Sequence, residues 1–213
     1  IIHAGAKIDA EILPDGTETK TEYGFGKDRS DKLQFMTRVT DANGIKTESF
    51  TDINGQQTAI KAAGDIWTSF VYNAMNELVK VTDAEGNCTE TYFKQDDIYK
   101  GRPYLQQTRD VSGNLYSKQE TAWNYAEINP AVYFVYLRQQ NSYTFDGDAT
   151  AKQTKTDYEY DTYGNTKRIY SYGDIEVTGD EKDVRIEYVY NTADRLLSLP
   201  SHSYILVVSG NKA

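Results

Sequence analysis

Residues 40–87, TDANGIKTESFTDINGQQTAIKAAGDIWTSFVYNAMNELVKVTDAEGN, repeat one device at short, near-equal intervals. Turn-forming tetrads open at Asp41 (DANG), Asp52 (DING), Lys61 (KAAG), Asn73 (NAMN) and Asp83 (DAEG), in steps of 11, 9, 12 and 10 residues. Two consecutive steps come to about 21 residues, a fixed period of the kind that marks repeat architectures. The tetrads begin with residues whose side chain can bond its own backbone two residues on. Most end in Gly or Asn, which tolerate positive φ. Between them lie runs of about six residues rich in Thr, Ile, Val, Phe and Tyr, which suit a pleated surface. The unit is strand–turn–strand–turn. The chain therefore reads as all-β, an extended antiparallel meander of hairpins.

Outside this block the rhythm varies but does not break. Residues 6–25 predict a hairpin turning at Leu13–Thr17, and a charged loop, Gly26–Asp31, leads into a strand at Leu33–Thr40. Residues 33–90 and 152–200 are regular; 91–151 are less so. Asp96–Pro103 and Ala122–Pro130 read as irregular, with a turn at Asp110–Asn114 between them. Ala131–Leu137 (AVYFVYL) does not alternate, which predicts a strand covered on both faces and the best candidate for a central, buried element. Later come strands at Thr154–Tyr160 and Thr166–Tyr172, an acidic loop at Gly173–Asp183, and strands at Val184–Tyr190, Arg195–Leu199 and Tyr204–Val208. No linker divides the chain, so residues 1–213 are expected to form a single segment, one excised from a larger polypeptide, since it starts IIHAG.

Composition narrows the function classes. Hydrophobic residues make up 38% of the chain and Tyr supplies 18 of them, so the sheet is expected to be wetted on part of both faces. A net charge of −9, with no run of Lys or Arg longer than two, argues against nucleic acid and anionic membranes as partners. The longest uncharged apolar run is seven residues, too short to insert in a membrane as a helix. A single cysteine, Cys88, excludes an internal disulfide framework.

Tyr158–Asn165 (YEYDTYGN) and Tyr188–Leu196 (YVYNTADRL) resemble the Y-x-Y-D-x-x-G-x-L signature of Rhs/YD-repeat proteins, and Phe70–Leu78 (FVYNAMNEL) is a third, degenerate copy. With Tyr23–Arg29 (YGFGKDR) and the Asp-x-x-Gly turns, the chain looks most like the B component of bacterial ABC-type (Tc) toxin complexes. That resemblance implies a curved, spiralling sheet that closes into a hollow shell around a C-terminal toxic polypeptide. It also implies partners in neighbouring repeats of the same larger chain or in a C-type toxin subunit, and a secreted or extracellular location. The family's D-P-x-G-L cleavage motif is absent, because none of the four prolines follows Asp. Asn stands for the family Asp at 73 and 191, and Asn76 and Asp194 stand for Gly.

The residues offer little chemistry beyond that. His3 and His202 lie near opposite ends without ligand-spaced partners. Carboxylate pairs at Asp157/Glu159 and Asp180/Glu181 have the residue types of glycoside hydrolysis, but fall on an expected solvated strand face and an acidic loop. Asp146–Asp148 and Gly179–Asp183 match no calcium-loop spacing. No phosphate-cradling glycine loop is present. The expectation is a non-enzyme without cofactor or metal. Tyr158 and Tyr160 share one face of their strand, as do Tyr188 and Tyr190, and these four are the candidate ligand contacts of an alternative, carbohydrate-binding or adhesive module.

Overall fold

The computed structural model describes residues 8–12, 14, 16–145 and 149–207, and every regular element among them is a strand. The first eight are β1 (Ile8–Ile12), β2 (Glu18–Lys27), β3 (Leu33–Thr40), β4 (Lys46–Thr51), β5 (Gln57–Ala62), β6 (Ile66–Tyr72), β7 (Leu78–Thr82) and β8 (Cys88–Phe93). Then follow β9 (Pro103–Arg109), β10 (Leu115–Asn129), β11 (Val132–Thr144), β12 (Lys152–Tyr160), β13 (Thr166–Asp174), β14 (Lys182–Asn191) and β15 (Leu196–Val207). Strand order across the sheet is strand order in the chain. The result is a 15-stranded antiparallel meander that does not close into a barrel.

One turn builds much of it. At Asp41 the main-chain N–H donates to Ile45 O at 3.0 Å, and Gly44 N donates back to Asp41 O at 2.9 Å. The Asp41 side chain then caps the loop, its Oδ1 accepting from Asn43 N (2.9 Å) and Ile45 N (2.8 Å). The same four bonds recur at Asp28, Asp52, Asn73 and Asp161. This is the three-residue hairpin loop whose last member needs positive φ. Gly44 supplies it at +78°, while Asn76 (+63°) and Asp31 (+62°) bear the strain of doing so with a side chain.

One tetrad and one loop differ from expectation. Lys61 and Ala62 belong to β5, and the turn falls at Ala63–Asp65 instead, because a lysine side chain has no acceptor with which to cap the loop. The expected charged loop at 26–31 is shorter: β2 runs through Lys27, and Asp28–Lys32 is a further copy of the capped turn.

The chain packs as two units. The first comprises Ile1–Glu90 with Arg109–Gly113. Its core is Met36, Phe50 and Ala59, neighbours in register across β3, β4 and β5, with Trp67 of β6 stacked on Phe50 at 5.5 Å between ring centroids. Lys61 covers the Trp67 ring at 5.1 Å. Arg38 stands between Glu22 and Glu48 on the flanking strands, bonding Glu48 Oε1 at 2.6 and 2.8 Å and Glu22 Oε2 at 3.1 Å.

The second unit comprises Thr91–Thr108 with Asn114–Ala213. Among its described residues no apolar side chain is fully buried; the buried side chains are Glu181 and Asp183. Half-covered rings take the place of a core: Tyr136 meets Tyr160 at 5.2 Å, and Phe134 meets Tyr136 at 5.5 Å.

Several elements differ from the sequence-based expectation. Ala122–Asn129 is not irregular but the second half of β10, paired with β11 through register shifts at Ala122/Trp123 and Glu127/Asn129. The second shift puts an extra residue, Ile128, into β10 and interrupts the two-residue alternation by which a strand is recognised. Residues 132–137 do form a strand, but not a buried one: Val132 is 51% and Tyr133 40% exposed, and Ala131 is the hairpin turn itself, at φ +63°. The acidic loop shortens to residues 175–181, since β13 continues to Asp174 and β14 begins at Lys182. The separate strands expected at 195–199 and 204–208 are one, β15, which passes through Pro200 with a register shift opposite Glu187/Tyr188. Proline, which has no N–H for the ladder, is tolerated at such a shift. Leu13, Asp15, Asp146–Asp148, His3 and the last six residues lie outside the described residues.

Candidate functional site

The four tyrosines singled out in the sequence sit on β12 and β14, in the second unit, with β13 between them. Tyr188 Oη donates to Thr166 O at 3.1 Å, reaching the start of β13. Tyr190 Oη donates to Asp161 Oδ2 at 2.7 Å, and its ring lies 4.8 Å from that of Tyr163. Tyr160 packs against Tyr136 and Phe134 (5.2 and 6.0 Å), and burial pushes its hydroxyl pKa up. Tyr158, opposite Ile169, is half-buried. Three of the four are thus tied to the β12–β13 turn or to neighbouring rings.

The carboxylate pairs are also engaged. Asp157 is half-buried rather than on a solvated face: Gln139 Nε2 donates to it at 2.8 Å and Tyr172 Oη at 3.0 Å, with Lys155 Nζ at 3.4 Å. Burial pushes its pKa up, but these hydrogen bonds and the lysine charge leave it below the usual carboxylate range. Glu159 pairs with Arg168 at 3.0 Å. Asp180 Oδ2 accepts from Asp174 N and Glu181 Oε2 from Gly179 N, both at 2.8 Å, so each caps the loop in which it stands.

The strongest electrostatic feature was not evident from spacing. Arg168 grips Asp183 with two bonds, Nε at 2.7 Å and Nη2 at 3.0 Å, and Arg185 adds two more at 3.2 and 3.3 Å. These bonds, chiefly those from Arg168, hold the Asp183 carboxyl below its ordinary pKa and raise that of the guanidinium. A buried acid held this way on a sheet face is a cross-strand tie.

A shallow groove of about 410 Å³ is the second feature that the sequence left unmarked. Lys94, Tyr99, Tyr104, Leu105, Glu120 and Trp123 line it. The loop at 94–102 carries Tyr99 onto Tyr125 (5.9 Å) and Arg102 over the Trp123 ring (5.1 Å), while Trp123 Nε1 donates to Pro103 O at 2.7 Å. The irregular stretch beginning at Asp96 was the one available signal. His202 lies exposed on β15 and Cys88 half-buried at the start of β8. Among the described residues no group of three or more His, Cys, Asp or Glu is placed to hold a metal ion.

No family model matches the chain, and no curated protein matches it. Among solved structures it is similar to a chain of the crystal structure of TcdB2-TccC3-Cdc42, a toxin complex, at 14% identity and a TM-score of 0.37. The match covers 84% of this chain and 12% of that one, so the chain spans about an eighth of its neighbour's length. A likeness of this size assigns no role to any residue here.

Proposed function

We propose that this chain is a length of wall: a non-catalytic segment of a larger Rhs/YD-repeat shell that shields a toxic polypeptide until delivery, in a secreted bacterial complex. The observation that carries this reading is the open meander itself. Its hairpins are fixed locally by self-capped turns, while its described apolar side chains, three in the first unit apart, are left half-covered or exposed. A repeat that cannot bury its own apolar surface gains stability by stacking on its neighbours. The YD-like octets at 158–165 and 188–196 support the family reading, and the carboxylates and tyrosines tied into cross-strand bonds support a structural role over a catalytic one.

The test is protease protection in the whole protein. With the shell intact, the polypeptide C-terminal to the repeats resists digestion, and loosening the wall with Arg168→Ala exposes it. Equal digestion before and after would overturn the proposal. The aromatic groove beside Trp123 favours a second reading, an adhesive glycan-binding module. A glycan array separates the two: saturable binding lost in Trp123→Ala selects adhesion, and silence selects the wall.

A further inference from the structure

We propose that Tyr163 and Tyr190 form an oxidative cross-linking site, at which the two rings are joined into dityrosine and tie the β12–β13 turn covalently to β14. The inference does not depend on the shell reading. The ring centroids lie 4.8 Å apart at an interplanar angle of 45°, which brings ring edges to within contact distance. Both side chains are open to an external oxidant, Tyr163 at 48% and Tyr190 at 41% exposure. The hydroxyl of Tyr190 is already hydrogen-bonded to a base, Asp161 Oδ2, at 2.7 Å.

Asp161 organises the whole arrangement. Its Oδ1 accepts from Tyr163 N and Asn165 N at 2.8 Å, and its Oδ2 from Asn165 Nδ2 at 2.9 Å. The residue that makes the turn thus sets Tyr163 in place and holds a carboxylate against the phenol of Tyr190. That contact pushes the Tyr190 hydroxyl pKa up to about 12, so the phenol is not ionised beforehand at neutral pH. Its proton leaves with the electron, along the existing hydrogen bond to Asp161.

The chemistry balances with hydrogen peroxide and a haem peroxidase as the oxidant. Each phenol loses one electron and its hydroxyl proton. The two radicals couple through a new bond between carbons ortho to the oxygens, and the displaced ring hydrogens return to the oxygens. One peroxide takes up the two electrons and two protons and leaves as two waters.

Other tyrosine pairs meet these conditions less well. Tyr170 and Tyr172 are 4.7 Å apart but lie two residues apart on one strand and are half-buried. Tyr125 and Tyr133 are each 40% exposed but meet edge-on, at 89° and 5.3 Å.

The test treats the intact protein, dilute, with peroxidase and hydrogen peroxide. Dityrosine fluorescence, a loss of two hydrogens from the monomer mass and a peptide joining residue 163 to residue 190 are expected. Tyr163→Phe and Tyr190→Phe each abolish that peptide. Asp161→Asn slows its formation severalfold while leaving circular dichroism unchanged, because Asn73 makes the same capped turn elsewhere in the chain. Links formed only between molecules, or a 125–133 link in place of the 163–190 link, would overturn the site. An undiminished rate in Asp161→Asn would overturn the role of the carboxylate.

Discussion

At the scale of single residues the recurrent actor is the first residue of each turn. Asp41, Asp52 and Asp161 each accept two main-chain N–H groups on one carboxylate oxygen, and Asn73 does the same with its amide oxygen. Asp52→Ala should therefore cost about 1–2 kcal/mol in a denaturant titration, as two net hydrogen bonds are lost, whereas Asp52→Asn should change stability little. This role was legible in the sequence, because Asp-x-x-Gly at regular spacing has one local solution. The grip of Arg168 on Asp183 was not. The two are 15 residues apart and meet only through the β13–β14 register, in which Arg168 faces Arg185 and Tyr170 faces Asp183.

At the scale of strands and hairpins, packing divides the two units. In the first, Gly26 lies against the core: a Cβ there would stand 2.9 Å from Met36 Sδ and 3.1 Å from Phe50 Cε1. The Met36 thioether can swing aside, but the Phe50 ring, stacked on Trp67, resists. Gly26→Ala should destabilise by about 1 kcal/mol, as modest overpacking does, read as a lowered melting temperature. Strand boundaries between capped turns matched the sequence closely, at β3 to the residue. They failed where bulges enter. The register shifts in β10 and β15 break alternation, so a continuous strand looks like loop or like two pieces. The apolar run at 132–137 misled for a related reason. Non-alternation signals burial only when something covers both faces, and here rings of neighbouring strands cover it in part.

At the scale of the molecule, stability rests on turns, cross-strand ion pairs and ring contacts more than on a buried interior. Asp83, Asp157, Asp161, Asp183 and Glu120 all have pKa values below their ordinary ones. A carboxylate with a depressed folded-state pKa contributes stability that is complete above its unfolded value, about 4, and is lost as pH falls through the folded value. Melting temperature should therefore be flat near neutrality and fall steeply below about pH 4; a fall already complete by pH 6 would point to other groups. The all-β meander was legible from turn spacing alone, but the groove beside Trp123 was not, because it depends on how the loop at 94–102 folds back. The proposal that this sheet is wall rather than catalyst is tested most directly by electron cryomicroscopy of the intact protein. If the sheet is wall, these strands continue into further repeats that surround an enclosed cavity with polypeptide inside. A sheet standing free in solvent, with no cavity behind it, would contradict it.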